Sequence, residues 1–153
     1  MIQRIQSIYL LLAAAVEAVL FFVPVATFIT VDKIIPFYAF GIDFEISSKF
    51  ISEVATIPLI VLISMVVLLP LINIFLFKKR KLQMRLCIFA ILLNFGVVGL
   101  LYFYISTFAG ELLASIQYNY PVVMPLIAMI LNYLAFRGVR KDEALIRSID
   151  RIR

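Results

Sequence analysis

The chain has 153 residues, 65% hydrophobic and only 15% charged, with a mean hydropathy of +1.12 and a formal net charge of +5. A soluble domain is about 45–50% apolar and about 25% charged, so a water-soluble globule of this size could not hide so much apolar surface, and lipid is the solvent left. Histidine is absent, which removes the commonest general base and metal ligand, and the single cysteine, Cys87, excludes an intrachain disulfide.

Four continuous apolar spans follow in chain order, near residues 5–30, 54–77, 86–108 and 118–136. A hydrocarbon core of about 30 Å needs about 20 helical residues, so each is long enough to cross. The runs do not alternate, which favours helices over a closed barrel. In the first span, "AAAVEA" offers small residues and Arg4 a positive flank, as in a signal peptide. The run continues through "VLFFVPVATFI", well past an ordinary h-region, and reads as a retained span.

Glu17 lies about twelve residues inside this span, near the bilayer middle at about 1.5 Å per residue. An acidic residue at such depth costs roughly 2.5–3.5 kcal/mol on insertion scales, so it normally faces the bundle and finds a partner. Ala13, Ala14 and Ala18 share its face, a small-residue surface suited to close helix contact. Glu17 is either a proton- or ion-handling carboxyl or a protonated side chain hydrogen-bonded inside the bundle.

Residues 31–53 form the first loop. In "FGIDFEIS", Phe40, Ile42, Phe44 and Ile46 alternate with Gly41, Asp43 and Glu45, the period of a half-buried strand. The β-branched "ATFITVDK" before it can pair back through a turn at Asp32–Lys33, with Pro36 interrupting or edging the ribbon. The expectation is a small hairpin or meander; the alternative is an interfacial loop with its aromatics at headgroup depth.

Pro58 lies in the first turns of span two, and Pro70, deeper inside, should free the carbonyl of Val66. Asn73, Asn94 and Asn132 occupy spans two, three and four, and each amide needs a partner inside lipid. Asn94 is nearest Glu17 in depth. With Glu17 the three form a candidate intramembrane polar cluster, either setting helix register or lining a path for an ion or substrate. Cys87 reads as a small packing residue. Pro121 and Pro125 stand where proline is cheap, near the start of span four. Tyr102, Tyr104, Tyr118 and Tyr120 read as an interfacial belt.

Twelve of the fourteen cations fall on one side of this arrangement: Arg4; Lys78, Lys79, Arg80, Lys81 and Arg85; and Arg137, Arg140, Lys141, Arg147, Arg151 and Arg153. The other side holds Lys33 and Lys49 among several acidic residues. The positive-inside rule then places both termini in the cytoplasm and residues 31–53 outside. In the tail, residues 137–153, Leu145, Ile149 and Ile152 form one helical stripe. Arg140, Arg147 and Arg151 lie away from that stripe, where anionic headgroups are the natural counter-charge. The segment is a short amphipathic helix at the membrane surface, or a solvated anchor.

The expected fold is therefore an all-α membrane protein of one domain, 1–153. It is a four-transmembrane-helix bundle with a small extracytoplasmic β-hairpin or meander after helix 1 and a short cytoplasmic amphipathic C-terminal helix. No phosphate loop, nucleophile triad or metal-ligand spacing occurs, and no repeat marks a transporter. The expectation is no enzyme, no cofactor and no nucleic-acid partner. Membrane lipids, a protein partner or a second copy of the chain are the expected contacts.

"MIQRIQSIYLLLA" at the start and "RKDEALIRSIDRIR" at the end resemble a family of small four-helix membrane proteins from Bacteroidota, the domain of unknown function 4293. The resemblance implies a bacterial inner-membrane location. It implies no activity and no catalytic residue. Two functions follow as expectations: a structural or accessory membrane protein acting through partners or lipid, or a small oligomeric transporter or channel using Glu17 and Asn94.

Overall fold

A computed structural model describes residues 3–31, 33–42, 56–76 and 79–150, with the side chains of 3–4, 42 and 146–150 outside that description. Four helices carry the chain: α1 (Gln3–Ala18), α2 (Ile57–Phe75), α3 (Arg80–Leu112) and α4 (Met124–Asp150). Neighbours in space are α1 and α2, α2 and α3, α3 and α4, and α4 and α1. The four close a ring, with α1 and α3 facing each other across its diagonal. α2, α3 and a stretch from Tyr120 to Leu145 are long and apolar enough to cross a membrane; α1 belongs to a shorter apolar helical stretch, Ile5–Phe21.

The first helix stops well short of residue 30. A 3-10 turn, Val19–Phe21, follows α1, and Pro24 prevents any continuation. The β-branched residues beyond it join a sheet instead. β1 (Ala26–Ile29), β2 (Ile34–Tyr38) and β3 (Gly41–Ile42) form an antiparallel meander, and β4 (Ser115–Tyr118), between α3 and α4, pairs with the free side of β1. The order is β3-β2-β1-β4. Thr30 N–H donates to Lys33 O at 2.9 Å across the expected turn, of which Asp32 lies outside the described residues. Phe44 and Ile46 lie outside the described residues, and of the alternating stretch only Gly41–Ile42 is seen in a strand.

Pro36 neither interrupts nor edges the ribbon. It sits inside β2 opposite Thr27. Antiparallel pairs alternate between bonded and non-bonded. The Thr30–Lys33 bond makes Phe28–Ile35 and Ala26–Phe37 the bonded pairs, so Thr27–Pro36 needs no donor from proline. The missing N–H faces β3, whose described pairing begins only at Phe37.

β2 turns Ile35 and Phe37 inward, and β1 turns Ala26 and Phe28 inward. These meet Leu59, Ile63, Val97, Ile105 and Phe108 in one core that joins the sheet to the helices. The rings of Phe28 and Phe37 lie 6.1 Å apart, and those of Phe37 and Phe108 5.5 Å. Each fully buried Phe contributes roughly 1.5–3 kcal/mol relative to exposure. Tyr104, expected in the interfacial belt, belongs to this core and stacks on Phe108 at 6.1 Å, whereas Tyr102, Tyr118 and Tyr120 are exposed.

α3 ends at Leu113, in the left-handed region at φ 48°, with Ala114 N–H bonding back to Ala109 O. That reversal sends the chain into β4. At its other end α3 begins at Arg80, taking in much of the basic link between spans two and three. Its helical register buries Gln83 and Cys87 while Lys81 and Arg85 stay exposed. α4 likewise continues without a break into the tail, so no separate C-terminal helix forms.

Candidate functional site

Each helix turns one narrow polar-bearing stripe inward. On α1 the stripe is Gln6, Leu10, Ala13, Ala14 and Glu17; on α4 it is Ala128, Asn132, Ala135, Val139 and Asp142. Spacings of three and four residues place these on one face, and the small members let the backbones come close.

Glu17 is fully buried. Asn94 Nδ2 donates to its Oε1 at 2.7 Å and to the carbonyl of Ala90 at 3.0 Å. The bond joins α1 to α3 across the diagonal, so it lies at the centre of the bundle. Asn132 is also fully buried, and its Nδ2 donates to Ala128 O on its own helix at 3.0 Å. Asn73 stands apart from this group. Its Nδ2 donates to Gln83 O and to Cys87 Sγ, each at 3.2 Å, and Gln83 Nε2 returns a 3.4 Å bond to Asn73 O. This second polar contact ties α2 to α3. Cys87 packs there with Leu10 and Ala135.

A third polar contact was not anticipated from the sequence. Gln6 Nε2 donates to Asp142 Oδ2 at 2.6 Å between α1 and α4, both side chains being buried. Gly138 makes room for it: a Cβ there would lie 2.9 Å from Gln6 Cγ. The signal was present, because Gln6 falls four residues before Leu10 on the stripe that leads to Glu17.

Nearby, a cavity of about 330 Å³ opens between α3 and α4, lined by Met84, Phe136, Arg140, Glu143 and Ala144. Arg140 thus lines this cavity together with the acidic Glu143 and the apolar Met84, Phe136 and Ala144. The side chains of Arg147 and Ile149 and the whole of Arg151 and Ile152 fall outside the described residues; Leu145 is about half exposed. Among the described residues, no group of three His, Cys, Asp or Glu side chains comes together.

The arrangement offers a carboxyl and amides held in a buried interior, with no nucleophile beside a base in the contacts described. It can fix helix positions and can present oxygens to a small positive species. A family model described as a domain of unknown function, DUF4293, matches residues 2–152, nearly the whole chain. No curated protein matches the chain, and no solved structure does.

Proposed function

The chain belongs to the DUF4293 family, and we propose that it is a four-span protein of the bacterial inner membrane that acts through lipid or protein contacts rather than chemistry. α1 with its following 3-10 turn runs nineteen residues, Gln3–Phe21. At about 1.5 Å and about 2.0 Å per residue this comes to about 30 Å, one hydrocarbon thickness. The excess of cations at the Gln6–Asp142 end supports placing that end in the cytoplasm. Cysteines in place of Gln117 and Lys141, both exposed, test this. Gln117→Cys should label from outside the cell and Lys141→Cys only after permeabilisation; the reverse pattern sinks the topology.

The observation that carries a contact-based role is the side-chain bond that crosses the centre of the bundle. The Glu17–Asn94 bond crosses the diagonal where a single-chain pore would have to run. What remains for function is the surface: outward Ile, Leu, Val and Phe side chains along the spans, and the cavity under Arg140. Arg140, Arg147 and Arg151 meet anionic headgroups in this reading, each adding about 1 kcal/mol at an anionic surface. Purification in mild detergent after crosslinking in cells should recover a stoichiometric partner or tightly held lipid. A bare monomer in every preparation counts against the proposal.

One observation favours the transporter reading: the second oxygen of Glu17 is buried without a partner. In that reading an oligomer opens a polar path past Glu17 and Asn94. Flux in proteoliposomes that survives Glu17→Gln unchanged removes the carboxyl from any such path.

A further inference from the structure

Glu17, Asn94 and Asn132 are each 0% exposed, on three different helices. The hydrogen bonds already described determine how the two amides are turned. Each Nδ2 meets a backbone carbonyl, Ala90 O or Ala128 O, which can only accept. Each Oδ1 therefore faces away from its own helix backbone. Asn94 Oδ1, Asn132 Oδ1 and Glu17 Oε2 are buried and without a hydrogen-bond partner. Three acceptors are thus buried in the bundle without a hydrogen-bond partner, a costly arrangement if nothing completes it.

Residue counting from shared contacts places the three within about 6 Å of one height. Leu10 and Cys87 share a cluster, and Glu17 and Asn94 each lie seven residues further along, which explains their bond. α4 runs the other way. Measured from the Gln6–Asp142 contact, Glu17 is eleven residues along α1 and Asn132 ten residues back along α4. Measured from Leu10 and Ala135, the counts are seven and three. At about 1.5 Å per residue, Asn132 is level with Glu17 or about 6 Å nearer the basic end. Side chains lean toward the N-terminus of their helix. Glu17 and Asn94 therefore lean toward the basic end, and Asn132 leans toward the sheet. From a position nearer the basic end, Asn132 thus leans toward the level of Glu17 and Asn94.

We propose that Glu17 Oε2, Asn94 Oδ1 and Asn132 Oδ1 bind one small monovalent metal cation, of the size and hardness of sodium, at the centre of the bundle. Oxygen-only donors select hard cations. One carboxylate and two neutral amides balance a single positive charge, and a divalent ion would leave an excess charge buried. A proton on the carboxyl lets Oε2 donate to one amide oxygen and leaves the other unmet. A water supplies two donors and leaves one. A single cation meets all three. The site stands apart from the question of transport, because an ion held permanently would serve packing alone.

The test uses the whole protein in detergent or nanodiscs, with sodium chloride exchanged for choline chloride at fixed pH and ionic strength. The thermal midpoint should rise with sodium as one bound ion requires and reach no such value in choline. Glu17→Gln should abolish the dependence, and Asn132→Leu should demand about tenfold more sodium for the same shift, the effect of losing one polar ligand. Modification of Glu17 in the wild type by a hydrophobic carbodiimide should be slowed by sodium and not by choline, which locates the ion even where Glu17→Gln fails to fold. Equal midpoints in both salts overturn the proposal, as does sodium dependence that survives Glu17→Gln. Carbodiimide modification that follows pH and ignores sodium overturns it in favour of a plain protonated acid.

Discussion

The two ends of the molecule are held by different means. At the sheet end, Phe28, Phe37, Phe108, Leu59 and Ile63 make a continuous apolar core in which sheet and helices share side chains. Toward the basic end the apolar cluster shrinks to Leu10, Cys87 and Ala135, and polar contacts accompany it: Glu17–Asn94, Asn73 with Gln83, and Gln6–Asp142. In the proposed four-span arrangement the contrast follows from solvent. A sheet that caps a bundle at the water interface gains from taking apolar area out of water. Helices surrounded by lipid gain little that way, because their surroundings are as apolar as their core. Close backbone approach and bonds between polar groups then decide which face meets which.

That contrast can be broken by mutation, and the largest effect is expected in the sheet. Phe37→Ala removes a ring that touches both Phe28 and Phe108. It should cost about 3–5 kcal/mol and expose the sheet to protease while the helices persist. Reversible unfolding in bicelles measures the loss; a cost below about 1 kcal/mol means that burial does not hold the cap.

Next in size is the bundle centre. Asn94→Leu removes the donor to Glu17 and leaves a carboxyl oxygen stranded, which should cost about 1–3 kcal/mol. Adding Glu17→Leu to it should recover most of that loss, since a well-packed apolar pair can replace a buried polar one. A double variant no better than the single one would show that the centre needs its polar groups for stability as well as for register.

Gly138→Ala sharpens the comparison at the basic end. The new methyl meets Gln6 Cγ at 2.9 Å and forces the Gln6–Asp142 contact apart, for about 1–2 kcal/mol. Crosslinking between α1 and α4 should fall with it. Asn73→Leu should show the smallest effect, about 0.6 kcal/mol, the average for a polar bond between helices in lipid. A loss several times larger would make the Asn73–Gln83–Cys87 group a principal clamp rather than a register mark.

Much of this was legible in advance because lipid constrains a sequence severely. A run of apolar residues long enough to span, a carboxyl in its middle and cations on one side can be read without knowing any neighbour. The depth of Glu17 and Asn94 followed from residue counting, and their bond follows from that shared depth. Helix ends were less legible. "VATFI" is apolar enough to extend a span, yet after Pro24 its β-branched residues pair in a sheet. α4 runs on into the tail, because nothing in "AFRGVRKDEAL" stops a helix once Gly138 is needed for contact with Gln6.

The sequence by itself determined composition class, the apolar spans, the charge asymmetry and the inward position of Glu17, since each depends on residues near one another in the chain and on the solvent. Tertiary structure alone decided the pairing of β4 with β1, separated by some ninety residues. It alone decided the Gln6–Asp142 contact and the bonds between Asn73 and Gln83. These depend on which helices are neighbours and at what height, and local pattern carries no record of either. A polar residue in an apolar stripe announces that it requires a partner. Only the packed bundle says which partner it meets and which oxygen atoms are left without one.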